Sequence, residues 1–109
     1  MNYVEFIAGE KTYKLRLDTK SVILLERTLK QNPLSIFGLN GKELPTVATM
    51  TAVLHASLQP YHAGTSPDEA YSIFDAWLED GHIITDFLQI ILEIYQSGGL
   101  VKKEAKEKN

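Results

Sequence analysis

The residues with the widest chemical range are three histidines, His55, His62 and His82, and two carboxylates, Asp75 and Glu79. A proline separates the first two histidines, so their imidazoles do not share a regular helical face. Asp75 and Glu79 stand four residues apart, which places both carboxylates on one face of a helix. Polar neighbours make a solvated stripe the better interpretation of that pair. We therefore predict packing or surface roles for the histidines, no catalytic residue and no metal site.

Several motifs that mark enzymes are absent from the sequence. The chain has no cysteine, which excludes a disulfide framework, a thiolate zinc site and a cysteine nucleophile. It also lacks a phosphate-cradling glycine loop, a nucleophile elbow and a dinucleotide-binding fingerprint. We therefore expect a protein that is not an enzyme and that binds no cofactor.

Length and composition predict one soluble domain. The chain has 109 residues, of which 44% are hydrophobic and 23% charged, close to the averages of globular domains. We expect a single domain over residues 1–99 and a charged, disordered tail over residues 100–109. Neither a signal peptide nor an apolar stretch long enough to span a bilayer is evident, so we expect a cytoplasmic protein without a membrane partner.

The formal net charge of −3 is distributed unevenly along the chain. Residues 1–42 carry +3, residues 43–101 carry −8 without any Lys or Arg, and residues 102–109 carry +2. An acidic body repels phosphate backbones, which counts against nucleic acid as a partner. The asymmetry is compatible with self-association or with a basic partner, although a solvated acidic face is the simpler interpretation.

Residues 3–17 predict a β-hairpin. Tyr13, Leu15 and Leu17 alternate with polar residues, which is the period of a strand with one solvated face. Residues 8–11 supply the turn. Two strands alone are only marginally stable in water, so we expect this hairpin to pack against helices.

Four helices are predicted after the hairpin, over about 19–30, 45–58, 67–80 and 82–97. Asp18 is a suitable N-cap, Pro45 suits a first helical turn, and Ser66 with Glu69 forms a capping box. The fold class is therefore α+β, mostly α, with an N-terminal β-hairpin packed on a bundle of about four α-helices. Apolar periodicity predicts that the first three helices turn these side chains inward: Val22, Leu25, Leu29, Val47, Met50, Leu54, Leu58, Ala70, Ile73, Phe74, Trp77 and Leu78.

The fourth predicted helix has an unusually wide apolar surface. Its apolar positions cover roughly 200° of arc at 100° per residue, whereas an ordinary surface helix needs only about 100°. Either this helix lies centrally, covered by the other helices and the hairpin, or one of its edges receives a partner helix or a second copy. The candidate partner-binding residues in the second case are Leu88, Leu92 and Tyr95.

Taken in order, several segments resemble a known family. They are FIAGEKTYKLRL at 6–17, LERTLKQNPL at 25–34, LHASLQPYH at 54–62 and a closing helix that ends in SGG at 97–99. This series, within residues 3–99, is similar to the small tail assembly chaperones of long-tailed (siphovirus) phages and prophages of Gram-positive bacteria. No catalytic residue accompanies the resemblance.

The resemblance implies a non-enzymatic helper of viral tail assembly. Such proteins bind the tape measure protein, a very long helical chain, and shield its apolar stripes before the tail tube closes around it. A longer product recruits the major tail protein, and the chaperone is absent from the finished particle. The resemblance thus implies action in the host bacterial cytoplasm with the tape measure protein and the major tail protein as partners. The wide apolar arc of the fourth helix suits this task.

Two alternative functions remain open at the level of sequence. One is a structural head–tail or tail completion protein that is retained in the virion. The other is a small DNA-binding regulator, because the second and third predicted helices offer a superficial helix-turn-helix. The acidic charge and the long connection over residues 59–66 count against the regulator.

Overall fold

The computed structural model describes residues 2–37 and 44–102, with the backbone alone for Phe37. Within these residues the chain forms one two-stranded antiparallel sheet and four α-helices, which confirms the predicted fold class. Most of the predicted tail, residues 103–109, lies outside the described residues. The elements are β1 (Val4–Ala8), β2 (Lys11–Leu15), α1 (Thr19–Leu29), α2 (Val47–Leu58), α3 (Pro67–Glu79) and α4 (Phe87–Ser97), with short 3-10 helices at Pro33–Phe37 and Ile84–Asp86.

The predicted hairpin forms with Phe6 opposite Tyr13 and a two-residue turn. Gly9 takes the first turn position with a φ of 64°, a left-handed conformation that glycine adopts without steric cost. The inner face buries Phe6 and Leu15, while Ile7 on the outer face is 58% exposed. The hairpin therefore has one face in the core and one in solvent.

Helix α1 begins and ends close to its predicted bounds. The Asp18 carboxylate accepts a hydrogen bond from the Ser21 amide at 3.0 Å, which satisfies a donor of the first helical turn. Lys30 adopts a left-handed φ of 60° and ends the helix one residue before the predicted bound. Leu25 is fully buried, and Val22 and Leu29 pack against the core from half-buried positions.

Helix α2 begins at Val47 rather than at Pro45, because the Thr46 hydroxyl accepts a hydrogen bond from the Thr49 amide at 3.1 Å and caps the helix there. The predicted inward residues Met50, Leu54 and Leu58 are buried. The inward prediction is wrong for Val47, which is 44% exposed. It lies at the start of the helix, where no described element covers it.

Helix α3 follows the sequence prediction closely. Ser66 and Glu69 form the expected capping box, with Glu69 Oε1 accepting from the Ser66 amide at 2.8 Å. Ala70, Phe74 and Trp77 are buried, as predicted. Ile73 and Leu78 are half-buried against the same core.

Helix α4 begins five residues later than predicted. Ile83 is extended, with a φ of −114° and a ψ of 163°, and its amide donates to Asp86 Oδ2 at 3.0 Å. This local hydrogen bond competes with helix formation over residues 82–86. From Phe87 onward the helix runs to Ser97, the predicted end.

One core joins the hairpin to the helices. The ring of Phe6 on β1 lies 5.7 Å from Trp77 of α3 and 5.9 Å from Phe87 of α4, between ring centroids. The Arg16 amide, just after β2, donates to the Ser57 carbonyl of α2 at 2.9 Å. The hairpin is therefore attached both to the end of α2 and to the α3–α4 pair.

Candidate partner-binding groove

The sequence-predicted partner-binding residues do not form an exposed edge. Tyr95 is fully buried, and its hydroxyl donates to the Pro33 carbonyl at 2.8 Å. Burial raises the pKa of the Tyr95 phenol far above its ordinary value. Leu88 and Leu92 are half-buried, and Leu88 packs against the core. The prediction is therefore wrong for Tyr95, since this side chain fixes α4 to the segment after α1.

Helix α4 lies centrally, which accounts for its wide apolar arc. It packs against β1 and α2, and Phe87, Ile91 and Ile94 are fully buried. Gln89 and Glu93 are the exposed positions of this helix. The apolar surface of α4 is thus covered mainly by its own chain.

An open apolar surface lies instead on helix α2. This helix packs against both α1 and α3, and its outward face remains uncovered by the described residues. A groove of about 410 Å³ runs along it, which we call the α2 groove. The α2 groove is lined by Thr28, Leu29, Gln31, Ala48, Thr49, Thr51, Ala52, His55, Pro67 and Tyr71.

The shape of the α2 groove follows from small side chains on α2. Ala48 and Ala52 stand one helical turn apart and form the floor, because neither extends beyond a methyl group. Leu29 at the end of α1 lines one side. Pro67 and the half-exposed Tyr71 of α3 line the other. Helix α2 therefore presents a shallow apolar channel between two ridges.

The polar groups of the α2 groove are largely engaged within the chain. The Thr51 hydroxyl donates to the carbonyl of Val47 at 2.9 Å, and the Thr28 hydroxyl donates to the Leu24 carbonyl at 3.0 Å. His55 Nε2 lies 3.0 Å from the Thr65 carbonyl oxygen. Among the residues that the structure describes, no Asp, Glu, Lys or Arg lines the groove. A ligand of this groove therefore meets methyl groups, aromatic carbon, hydroxyls that already have partners, and the side-chain amide of Gln31.

A second hollow of about 390 Å³ continues the same seam toward the start of α1. Leu24 lines it and precedes Thr28 by one turn on α1, while Gln59, the C-cap of α2, lines it and follows His55 by one turn. Asp18, Lys20 and Arg27 also line this end, which is therefore charged. The seam between α1 and α2 thus changes from uncharged near the end of α1 to charged near its start. Helix α1, with 11 residues, is about 16 Å long.

The three histidines occupy separate places in the structure. His55 bonds to the α2–α3 connection, His62 accepts from a β2 amide, and His82 stacks on Trp77 with centroids 4.5 Å apart. Asp75 and Glu79 are both exposed on α3. Over residues 2–37 and 44–102, no group of three or more histidine and acidic side chains is arranged to hold a metal ion.

Sequence reasoning missed the α2 groove, although a signal was present. Residues 44–67 contain no Asp, Glu, Lys or Arg. A helix with one face in solvent normally carries charged residues on that face. The uncharged stretch therefore indicated a second apolar face on α2, but it did not indicate the groove that α1 and α3 form on either side of this face.

Comparison with known proteins places the chain in one family. The sequence model of the family DUF6096, which is described as a family of unknown function, matches residues 4–109. The chain belongs to the DUF6096 family. No curated protein and no solved structure matches it. Among the described residues of this DUF6096 member, no helix has both the length and the apolar character needed to cross a bilayer.

Proposed function

We propose that this DUF6096 protein is a non-enzymatic tail assembly chaperone of a siphovirus phage or prophage. In this proposal it binds helical segments of the tape measure protein in the host bacterial cytoplasm, helps to recruit major tail protein subunits and is absent from the mature virion. The resemblance of residues 3–99 to such chaperones motivates the proposal. The observation that carries it is the uncharged α2 groove.

The α2 groove suits the apolar face of an amphipathic helix. Its floor of Ala48 and Ala52 allows close approach, and side chains of α1 and α3 border it on both sides, as in helix-in-groove recognition. A partner helix that follows the α1–α2 seam has room for about three turns over 16 Å. The uncharged end of the seam accepts the apolar side chains of the partner helix. At the other end, Lys20 and Arg27 offer cations to an acidic side chain of that helix.

The size of the groove predicts weak and reversible binding. A shallow groove of this kind offers a partner helix a limited apolar area, which contributes about 25 cal/mol for each Å² that is buried. Association costs of about 4–15 kcal/mol offset most of this gain. Reversible binding is what a tail chaperone requires, since tube subunits must later displace it. Several copies along one long helical chain would add avidity.

The proposal is tested by placing a charge in the groove. Ala48 lines the groove and is exposed, so Ala48→Arg blocks the floor without entering the core. The matched control is Gln89→Arg, on the exposed side of α4. Each variant is co-expressed with helical segments of a tape measure protein from the same genome, and capture is quantified. We expect at least about tenfold lower capture with Ala48→Arg and unchanged capture with the control, because an unpaired charge buried by the partner is strongly unfavourable.

Circular dichroism establishes that both variants are folded. Undiminished capture by folded Ala48→Arg would remove the groove as the binding surface. Failure of the wild-type chain to capture any segment would contradict the proposal that this protein is a tail assembly chaperone. Abundant copies in purified virions, measured by mass spectrometry, would favour the structural alternative instead.

A further inference from the structure

Two backbone amides fasten the outer edge of β2 to the end of α2 and the connection that follows it. The Arg16 amide donates to the Ser57 carbonyl at 2.9 Å. The Lys14 amide donates to the side chain of His62, at Nε2, over 3.0 Å. Both attachments cover an edge that would otherwise present unpaired donors. The two acceptors differ in one respect. A backbone carbonyl oxygen does not take up a proton near neutral pH, whereas an imidazole does.

The protonation state of His62 follows from its donor. A backbone amide can only donate, so Nε2 of His62 must be unprotonated and the ring proton must lie on Nδ1. Protonation of the ring places a hydrogen on Nε2 and removes the acceptor. The Lys14 amide and the imidazolium would then be two donors facing each other. The bond therefore exists only while His62 is neutral.

Charged and titratable groups from several elements lie near His62. Burial lowers the pKa of His62, and the positive charge of Lys14 lowers it further. The Tyr13 ring packs edge-on against the imidazole with centroids 5.4 Å apart. Glu69 of α3 lines a surface hollow together with His62, and its carboxylate accepts from the Ser66 amide in the capping box of that helix. Tyr61 precedes His62, and its ring is approached by the ammonium of Lys14 at 5.6 Å.

The other two histidines are compatible with protonation. His55 Nε2 faces the Thr65 carbonyl oxygen, which only accepts, so this contact survives when the ring is charged. His82 Nδ1 lies 3.9 Å from Asp86 Oδ2, a carboxylate oxygen that accepts a hydrogen bond from a ring nitrogen carrying a proton. Among the three histidines, His62 alone holds a contact that a proton breaks.

We infer that His62 is an acid-sensitive latch between β2 and the α2–α3 connection. At neutral pH the Lys14–His62 bond holds residues 59–65 against the hairpin edge. Protonation opens this bond, while the Arg16–Ser57 bond keeps the hairpin attached to α2. This inference does not depend on the chaperone proposal, because it rests on the hydrogen bonds of the free chain.

The sign of the pH dependence follows from the direction of the pKa. Since the folded pKa of His62 lies below its ordinary value of 6.5, the neutral ring is favoured by folding. The stability that it contributes is fully present above pH 6.5 and is lost as the pH falls through the folded pKa. The latch therefore opens under mildly acidic conditions and closes on return to neutral pH.

Amide hydrogen exchange of the full chain, followed by NMR, tests the latch. Protection factors corrected for intrinsic exchange are measured for Lys14 and Arg16 between pH 7.5 and pH 5, with the His62 ring titrated in parallel. We expect Lys14 protection to fall about tenfold with the His62 midpoint, which lies below 6.5, and Arg16 protection to stay constant. Constant Lys14 protection, or a His62 midpoint at or above 6.5, would overturn the inference.

Two glutamine variants separate the latch from general acid sensitivity. In His62→Gln the amide oxygen still accepts from Lys14 but does not titrate, so we expect Lys14 protection to lose its pH dependence. His55→Gln is the matched control and should retain the wild-type dependence. A pH dependence that persists in His62→Gln, or that disappears in His55→Gln, would contradict the assignment to His62.

Discussion

Asp18 links the hairpin to the first helix through a reciprocal pair of hydrogen bonds. Its carboxylate accepts from the Ser21 amide at 3.0 Å and from the Ser21 hydroxyl at 2.8 Å, and the Asp18 amide donates to the Ser21 hydroxyl oxygen at 2.8 Å. The Ser21 donors hold the pKa of Asp18 below its ordinary value of 3.8. The ionised carboxylate is therefore the form that caps α1.

At neutral pH we expect Asp18→Ala to lower the free energy of unfolding by about 1 kcal/mol, the usual contribution of an N-cap. Because the folded pKa is lowered, this contribution is present above pH 3.8 and is lost as the pH falls through the folded pKa. Urea unfolding at pH 7 and at pH 2.5 measures the difference from wild type. Asp75→Ala, at an exposed position within α3, is the control and should change stability little at either pH.

Equal losses for Asp18→Ala at both pH values would contradict the role of the ionised carboxylate. A similar loss for Asp75→Ala would indicate a general effect of removing negative charge.

Tyr95 marks a limit of sequence reasoning at the level of single residues. Periodicity indicates which side chains share a face of α4, and Gln89 and Glu93, which stand four residues apart on its polar side, are both exposed. It does not reveal which part of a 200° apolar arc the rest of the chain covers. The Pro33 carbonyl that accepts from the Tyr95 hydroxyl lies 62 positions away in sequence. Only the tertiary arrangement brings these two groups together.

The end of α4 packs directly on the segment that leads into α1. A Cβ atom at Gly98 would lie 2.9 Å from Leu17 Cβ and would also collide with the Leu17 carbonyl oxygen. Gly98 itself has an ordinary φ of −94°. Its requirement for glycine therefore comes from the close approach of two segments and not from backbone conformation.

We expect Gly98→Ala to lower the free energy of unfolding by about 2 kcal/mol, because the added methyl group forces α4 away from Leu17. The control is Gly64→Ala, at a φ of 87° with open space around the new methyl group. It should lose about 1 kcal/mol from backbone strain alone. Urea unfolding measures both. A smaller loss for Gly98→Ala than for Gly64→Ala would show that the contact with Leu17 yields easily.

Helix boundaries were predictable where the cap is built from nearby residues. Ser66 and Glu69 form their capping box within one turn, and α3 begins where the sequence indicates. The start of α4 was predicted too early, because Asp86 accepts from the Ile83 amide and holds Ile83 extended. The apolar pattern continues through this turn, so periodicity does not register the interruption.

Trp77 reports on the assembly of the whole molecule. It is buried, and its ring lies 5.6 Å from Phe74 on its own helix, 5.7 Å from Phe6 on the hairpin and 5.5 Å from Phe87 on α4, between centroids. His82 stacks on it from the α3–α4 connection. As the single tryptophan of the chain, it senses the contact of hairpin and helices in one signal.

We expect tryptophan fluorescence and far-ultraviolet circular dichroism to give the same urea midpoint. Docking of the hairpin and formation of the helices depend on one shared core, and small domains of this kind unfold in a single cooperative transition. The midpoints are compared on the same samples. A fluorescence transition at clearly lower urea would mean that the hairpin detaches while the helices persist.

The fold class followed from local patterns, but the α2 groove did not. Alternation over β1 and β2 and the periodicity of the helices were sufficient for an α+β fold. The groove depends on how far α1 and α3 stand apart on either side of α2, a distance that no local pattern encodes. The alanines at 48 and 52 read equally well as a site of close helix contact until the neighbouring helices are placed.

The order in which a ribosome makes these elements has a consequence for the nascent chain. The hairpin emerges first, yet the Gly9 amide bonds to Asp80, 71 positions later, and Phe6 is covered by rings of α3 and α4. At about 5–20 residues per second, the hairpin waits roughly 4–14 s for those helices. During translation the apolar inner face of the hairpin stays exposed to solvent. A newly made chain is therefore most prone to aggregation in that interval.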